Sequence, residues 1–228
     1  RAEAESFAAT LSARFGTRVR PLVTPLIAPR FLSPVIPAKD YAAVVFTSAH
    51  AVEGARRLGV PLPRLAWCVG RKTAAVATAA GFLAKSADGD AEALANAIQA
   101  DPPNGRILYL RGVDTRGNLL EKLNSFRIHT DVAIVYAQEP QLLTTQALAV
   151  LRSPEPALVT LFSPRTTALF RAAWPRDGQG NLHVAAMSRA VADALDDLPR
   201  ATLAIARQPD AAGMLAAVES LLAGLPAP

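Results

Sequence analysis

The sequence predicts an α/β protein with two parallel-sheet domains, the second inserted into the first. Three observations carry that reading. Short apolar runs alternate with helical segments along nearly the whole chain, and continuous apolar runs are the mark of strands covered on both faces. An internal repeat brings Phe46-Thr47-Ser48 back as Leu161-Phe162-Ser163, 115 residues on, and the following stretch from Val69 back from Ala185, 116 residues on. Two proline-bearing extended segments, 24–37 and 134–141, supply the two crossings that an inserted domain needs.

The elements follow in order. "AAVVFTS" precedes the helical "AHAVEGARRL", "LAWCVG" precedes "RKTAAVATAAG", and "GRILYLRG" precedes "TRGNLLEKLN". Later "ALVTLFS" precedes "PRTTALFRAA", "NLHVAAM" precedes "SRAVADAL", and "ATLAIA" precedes "PDAAGMLAAVESLL". "DGDAEALANAI" resembles "QPDAAGMLAAV", and "RGVDTRGNLLEKLNS" resembles the chain's own start, "RAEAESFAATLSARFG". The copies are therefore permuted relative to one another. There are too many βα units for one flavodoxin-like sheet, and two such domains account for them. The expected division places residues 1–28 and 142–228 in the first domain and 35–135 in the second. Residues 29–34 and 136–141 are the expected hinge strands, a two-stranded β-ladder. Because the chain opens on a helix, the reading also predicts a first strand upstream of Arg1.

Composition narrows the function classes. The chain has 228 residues, 51% of them hydrophobic, which is ample for a sizeable core. No run is long and uncharged enough to span a bilayer, and "RAEAESF" is not a signal peptide. The single cysteine, Cys68, rules out an internal disulfide framework and fits a reducing cytoplasm. Its apolar setting, "LAWCVG", predicts a buried structural thiol. His50, His129 and His183 lack metal-ligand spacing, so no metal is expected. A net charge of +5 favours anionic partners. Aromatics are too few, and too little interleaved with Lys and Arg, for a nucleic-acid platform.

In open α/β sheets ligands bind beyond the carboxyl ends of strands. In the second domain those places hold Thr47 and Ser48, then Gly70, Arg71 and Thr73, then Arg111, Gly112 and Arg116. In the first they hold Ser163, Pro164 and Arg165, then Ser188 and Arg189, with Arg1 after the predicted upstream strand. Each serine has two readings, as an ordinary helix N-cap or as a small residue that lets backbone amides approach a ligand. The arginines point to a polyanion, carboxylate or phosphate. No dinucleotide fingerprint, P-loop or nucleophile elbow occurs, so no cofactor is expected. Physical reading alone ends at two α/β domains that hold an anionic ligand in a basic cleft.

The runs "VVFTSAHAVEGARRL", "LAWCVGRKTAAVATAAGF", "GDAEALANAI", "RILYLRGVDTRGNLLEKL" and "VAIVYAQEP", followed by "TLFSPRTTALF", resemble the uroporphyrinogen-III synthase family in order and spacing. The resemblance covers nearly the entire chain. It implies an enzyme, a cyclising hydro-lyase of haem biosynthesis. The substrate would be hydroxymethylbilane, a linear tetrapyrrole, closed to uroporphyrinogen III with loss of water and inversion of ring D. It also implies no cofactor or metal, with hydroxymethylbilane synthase as a transient partner. A monomer is expected because each domain completes its own sheet. Nucleic acid and membrane are not expected as partners.

The family's most discussed residue is a tyrosine near the second hinge strand, which puts Tyr136 forward as the catalytic candidate. It either donates a hydrogen bond to the departing hydroxyl or packs its ring at the domain edge. The family's Gly-Pro-Thr-Thr falls on Ala186-Met187-Ser188-Arg189, where this chain departs from the pattern. His50 stands where the family is often basic and reads as a surface helix residue. A non-enzymatic two-domain binder of an anionic ligand, or an inactive synthase relative, is the alternative reading.

Overall fold

The structure, a computed structural model, describes residues 2–115, 117–179 and 181–225. Its elements in order are α1 (Ala2–Phe15), β1 (Ile27–Phe31), β2 (Tyr41–Phe46), α2 (Ala49–Arg57), β3 (Leu65–Cys68) and α3 (Arg71–Ala79). Then come β4 (Leu83–Ser86), α4 (Ala91–Ala100), β5 (Arg106–Gly112), α5 (Leu119–Ser125), β6 (Thr130–Pro140) and α6 (Thr145–Arg152). The chain closes with β7 (Ala157–Leu161), α7 (Pro164–Ala172), β8 (Leu182–Ala186), α8 (Arg189–Asp193), β9 (Thr202–Ile205) and α9 (Ala211–Ala223). Two compact units result. One is built from the chain up to Ala28 and from Pro140 onward, the other from residues 29–139.

The inner unit is doubly wound. Its sheet runs β1-β6-β5-β2-β3-β4, and β6, β5, β2, β3 and β4 are parallel neighbours. Counted from β5 and wrapping round, the parallel strands lie in the order 2-1-3-4-5, the flavodoxin order. One face of the sheet (Val44, Phe46, Cys68, Leu110) packs on α2 and α3 through Ala51, Val52, Ala55 and Ala77. The other (Ala43, Val45, Trp67, Ile107) packs on α4 and α5 through Leu94, Ile98, Leu119 and Leu123. Burial on both faces is why β2 and β5 read as unbroken apolar runs. Gly54 lets α2 come down onto the sheet, since a Cβ there would stand 2.8 Å from Val135 Cβ.

β4 is an edge strand with alternating exposure and Lys85 pointing outward. The sequence reading passed over it, because an edge strand has no apolar run to show. At the opposite edge lies β1, whose pairing with β6 is antiparallel. The Leu32 amide donates to the Val135 carbonyl and the Gln141 amide to the Leu26 carbonyl, each at 2.9 Å, so the partner number falls as the residue number rises. Both chain crossings between the units fall in these two strands. β6 is longer than the expected hinge segment 136–141, starting at Thr130 and continuing without a break to Pro140.

The outer unit holds a parallel sheet in the order β7-β8-β9. Leu161, Leu182, Val184 and Ala186 pack with α6, α7 and α8 on one side. On the other, Ala185 packs with Met214, Val218 and Leu221 of α9, and Phe7, Leu11 and Phe15 of α1 lie against the same cluster. β8 is buried throughout and includes His183. That ring is satisfied within the sheet, with Nδ1 2.7 Å from Thr202 Oγ1 and Nε2 3.2 Å from Asn181 Oδ1.

One feature of the predicted repeat needs correction. Ser48 and Ser163 cap α2 and α7 as the 115-residue offset requires. The caps of α3 and α8, however, are Gly70 and Ser188, 118 residues apart rather than 116. β8 begins 19 residues after the cap Ser163, against 17 from Ser48 to β3, and it has five residues against four, so the register moves by three. The counterpart of Gly70-Arg71-Lys72-Thr73 is therefore Ser188-Arg189-Ala190-Val191, not Ala186-Met187-Ser188-Arg189.

Candidate functional site

The inner sheet has a topological switch point between β2 and β5. From β2 the chain passes to α2 on one face, and from β5 to α5 on the other. A crevice opens at such a point beyond the strand ends, the usual ligand position in this architecture. Thr47 and Ser48 end β2 there, and Arg111 and Gly112 end β5.

Thr47 is half-buried, and its Oγ1 lies 3.2 Å from the hydroxyl of Tyr109, which spans the two strands. Tyr109 is 3% exposed, and burial raises its phenol pKa above the ordinary value. The sequence reading missed Tyr109 as a site residue. Ser48 is extended at φ −157°, and its Oγ accepts from the His50 amide at 3.1 Å, capping α2. Arg111 turns back on the strand end, where Nη1 donates to the carbonyls of Gly112 (3.0 Å) and Val113 (3.1 Å).

Tyr136 faces Gly112 across the β5–β6 ladder. The register skips Val135 at this point, because Arg111 pairs with Ile134 and Gly112 with Tyr136. This bulge lets two successive residues, Val135 and Tyr136, both be buried. The Tyr136 ring lies directly on Gly112, and the His50 ring meets it edge-on at 5.6 Å between centroids. Among the described residues the Tyr136 hydroxyl forms no hydrogen bond.

Gly70 caps α3 with no side chain and φ −154°, a value open to any residue, and nothing lies within 4 Å of where its Cβ would be. The glycine leaves the amides of the first turn uncovered. Arg71 is 85% exposed, yet its Nε donates to Asp88 at 2.8 Å. Asp88 also accepts from the Ser86 hydroxyl at 2.6 Å, and these two contacts, Ser86 first, hold its carboxyl below the usual range. Thr73 is buried within α3.

In the outer unit Ser163 Oγ accepts from the Thr166 amide (3.2 Å) and meets the Thr166 hydroxyl (2.9 Å), with Pro164 as the first residue of α7 and Arg165 exposed beside it. Ser188 caps α8 through the Val191 amide at 3.4 Å, and Arg189 pairs with Asp193 at 2.9 Å. The structure thus groups Thr47, Ser48, Arg111, Gly112 and Tyr136 around one switch point, with Gly70, Arg71 and Thr73 at the next strand. Ser163, Pro164, Arg165, Ser188 and Arg189 sit at strand ends of the other unit. Arg1 and Arg116 lie outside the described residues. Among the described residues no group of three His, Cys, Asp or Glu side chains is placed to hold a metal. No helix among them is long and apolar enough to cross a membrane.

Hydroxyls, arginines and a helix start without a side-chain cap, that of α3, stand at the carboxyl ends of parallel strands, the position where proteins of the open α/β class bind their ligands. The chain belongs to the uroporphyrinogen-III synthase family, because the family model for uroporphyrinogen-III synthase HemD matches residues 5–216. Among solved structures it is similar to the uroporphyrinogen-III synthetase of Helicobacter pylori, with 17% identity and a TM-score of 0.59 over 86% of this chain and 91% of that one. A mutant uroporphyrinogen III synthase of Thermus thermophilus aligns over 99% of this chain and 97% of its own, at 17% identity and a TM-score of 0.49. The first of these supports the two-unit α/β fold. No curated protein matches the chain.

Proposed function

We propose that this chain is an active uroporphyrinogen-III synthase, which closes hydroxymethylbilane to uroporphyrinogen III with loss of water and inversion of the last ring. The observation that carries the reading is the family match along residues 5–216. The site geometry agrees with the chemistry that reaction needs. A pyrrole nitrogen expels the terminal hydroxyl, so the C–O bond breaks and the oxygen leaves as water once it receives a proton. The carbon left behind is attacked by the substituted α-carbon of the last ring, giving a spiro centre whose rearrangement inverts that ring. No protein nucleophile and no cofactor is required. The protein folds the substrate and supplies a hydrogen-bond donor to the leaving oxygen.

Tyr136 is the donor in this reading, with its hydroxyl unengaged by the described residues and its ring fixed between Gly112 and His50. Thr47, Ser48, Gly70, Arg71, Thr73, Arg111 and Gly112 would hold substrate carboxylates on one unit. Ser163, Pro164, Arg165, Ser188 and Arg189 would do so on the other, with Arg1 and Arg116 contributing by charge. The protein acts as a cytoplasmic monomer, supplied by transient contact with hydroxymethylbilane synthase. The test is a coupled assay. Enzymatically generated hydroxymethylbilane is offered, the products are oxidised to porphyrins, and isomers I and III are separated by chromatography. Mostly isomer III is expected. Isomer I alone, the spontaneous product, from folded protein would overturn the reading in favour of a binder or an inactive relative.

A further inference from the structure

We infer that Tyr109 is a positioning residue for substrate binding: its buried phenol donates to Thr47 Oγ1 and thereby turns the Thr47 O–H outward, toward a substrate carboxylate. This rests on the synthase reading for the identity of the ligand. The argument begins with reach. Val45 is the register partner of Tyr109, and Thr47 lies two residues further along the same face. Two strand residues span about 6.6 Å, close to the length of a tyrosine side chain, so the phenol oxygen arrives beside the threonine hydroxyl at 3.2 Å.

Proton counting gives the direction. Burial holds the phenol protonated well beyond neutral pH, so two O–H groups share one contact and one proton is left over. If Thr47 donated, the spare proton would belong to Tyr109, which is 3% exposed, and a buried donor would lack a partner. If Tyr109 donates, the spare proton belongs to the half-buried Thr47, at the mouth of the crevice. The phenol is also the more acidic group and polarises the hydroxyl it bonds to, which strengthens the outward hydrogen bond. Tyr109 thus makes Thr47 a committed donor, as suits an anion. In the repeat, the residue at the Thr47 position is Phe162, whose ring meets Phe7 at 5.2 Å, so this hydroxyl pair occurs at one of the two equivalent strand ends.

The experiment measures KM and kcat with hydroxymethylbilane for the wild type, for Tyr109→Phe, Thr47→Val and Thr47→Ser, and for the double variants Tyr109→Phe/Thr47→Val and Tyr109→Phe/Thr47→Ser. Tyr109→Phe is expected to raise KM roughly fivefold, the loss from weakening one hydrogen bond to a charged group, with kcat unchanged within about twofold. In the Thr47→Val background it should add nothing, whereas in a Thr47→Ser background it should again raise KM. A structural role alone would not obey that dependence on residue 47. An unchanged KM in Tyr109→Phe, or the same rise on top of Thr47→Val, overturns the inference while leaving the synthase reading intact. If the wild type forms no isomer III, the synthase reading fails. The same variants are then titrated with an eight-carboxylate porphyrin by fluorescence quenching. An affinity loss that depends on Thr47 supports the pair as a carboxylate site. No binding, or binding indifferent to Tyr109, overturns it.

Discussion

The ring of Tyr136 occupies the space that a side chain at Gly112 would need. A Cβ on Gly112 would stand 2.6 Å from Tyr136 Cζ and 2.9 Å from its hydroxyl oxygen. Gly112 is thus the seat of the candidate catalytic ring rather than a flexible point in the strand. Replacing it with alanine must push the ring off β5 or bend the strand end. Gly112→Ala is expected to destabilise the fold by about 1–3 kcal/mol, against the slight gain that alanine normally brings to a strand. It should also lower isomer-III formation by more than the loss of folded protein explains. Denaturant unfolding and the coupled assay on the same preparations check both.

The Tyr136 hydroxyl itself can be removed without moving the ring. Tyr136→Phe keeps the packing on Gly112 and His50, so its stability should match the wild type within about 1 kcal/mol. Turnover should fall by about a hundredfold, the low end of what a positioned proton donor contributes, with KM little affected. An unchanged kcat would reduce Tyr136 to a packing residue.

Much of this arrangement is legible in the sequence, and the rest is hidden for identifiable reasons. β2, β5 and β8 show as apolar runs because both their faces are covered, and Ser48 and Ser163 show as caps because they stand between a run and a helix. β4 is not visible, since only alternate residues of this edge strand are turned inward. The 118-residue offset of α8 depends on where β8 begins and how long it is, and neither is marked in the repeated residues. Tyr109 sits in "RILYLRG" and reads as core. The signal available was its hydroxyl, because a tyrosine in a strand buried on both faces needs a partner, but that partner lies 62 residues away. The pairing of Arg71 with Asp88 was equally out of sight, because it depends on the loops after β3 and β4 meeting.

Cys68 should behave as an inert thiol until the fold opens. It is fully buried in β3, and burial pushes its pKa up to about 11. At pH 8 alkylation by iodoacetamide is expected to follow global unfolding and to accelerate sharply in denaturant. The linkage sign follows from the raised value. Below the unfolded thiol pKa, near 9, both states are protonated and stability is unaffected. As pH rises from about 9 to 11 the unfolded chain ionises and the folded chain resists, so stability falls across that window. Cys68→Ala should flatten that part of the pH profile in thermal unfolding.

Trp67 is 4% exposed, and its indole nitrogen is the buried polar atom without a hydrogen-bond partner among the described residues. Its ring also carries Lys85 Nζ at 4.9 Å. Truncation to alanine should cost about 3–5 kcal/mol through the cavity it leaves. Trp67→Phe loses some area but also deletes an unsatisfied donor, a penalty of about 1–3 kcal/mol. The phenylalanine variant is therefore expected within about 1 kcal/mol of the wild type by urea unfolding, far from the alanine variant.

On the proposed reading, Asp88 would compete with the substrate for Arg71. The carboxylate takes the guanidinium Nε at 2.8 Å beside the uncovered start of α3, where a substrate carboxylate would find the same cation. Asp88 sits at φ +53°, a left-handed conformation that asparagine tolerates as well as aspartate does. Asp88→Asn therefore keeps the loop and a polar contact to Ser86 while removing the competing charge. KM for hydroxymethylbilane should fall about twofold at low salt, with the gain fading near 0.5 M salt as exposed charges are screened. Arg71→Ala should raise KM and cancel the effect of Asp88→Asn in the double variant. If Asp88→Asn leaves KM unchanged while Arg71→Ala raises it, the ion pair is a passive surface contact that opens at no cost to binding. If neither substitution moves KM, Arg71 does not touch the substrate, and the anion is held by the other residues of the strand ends.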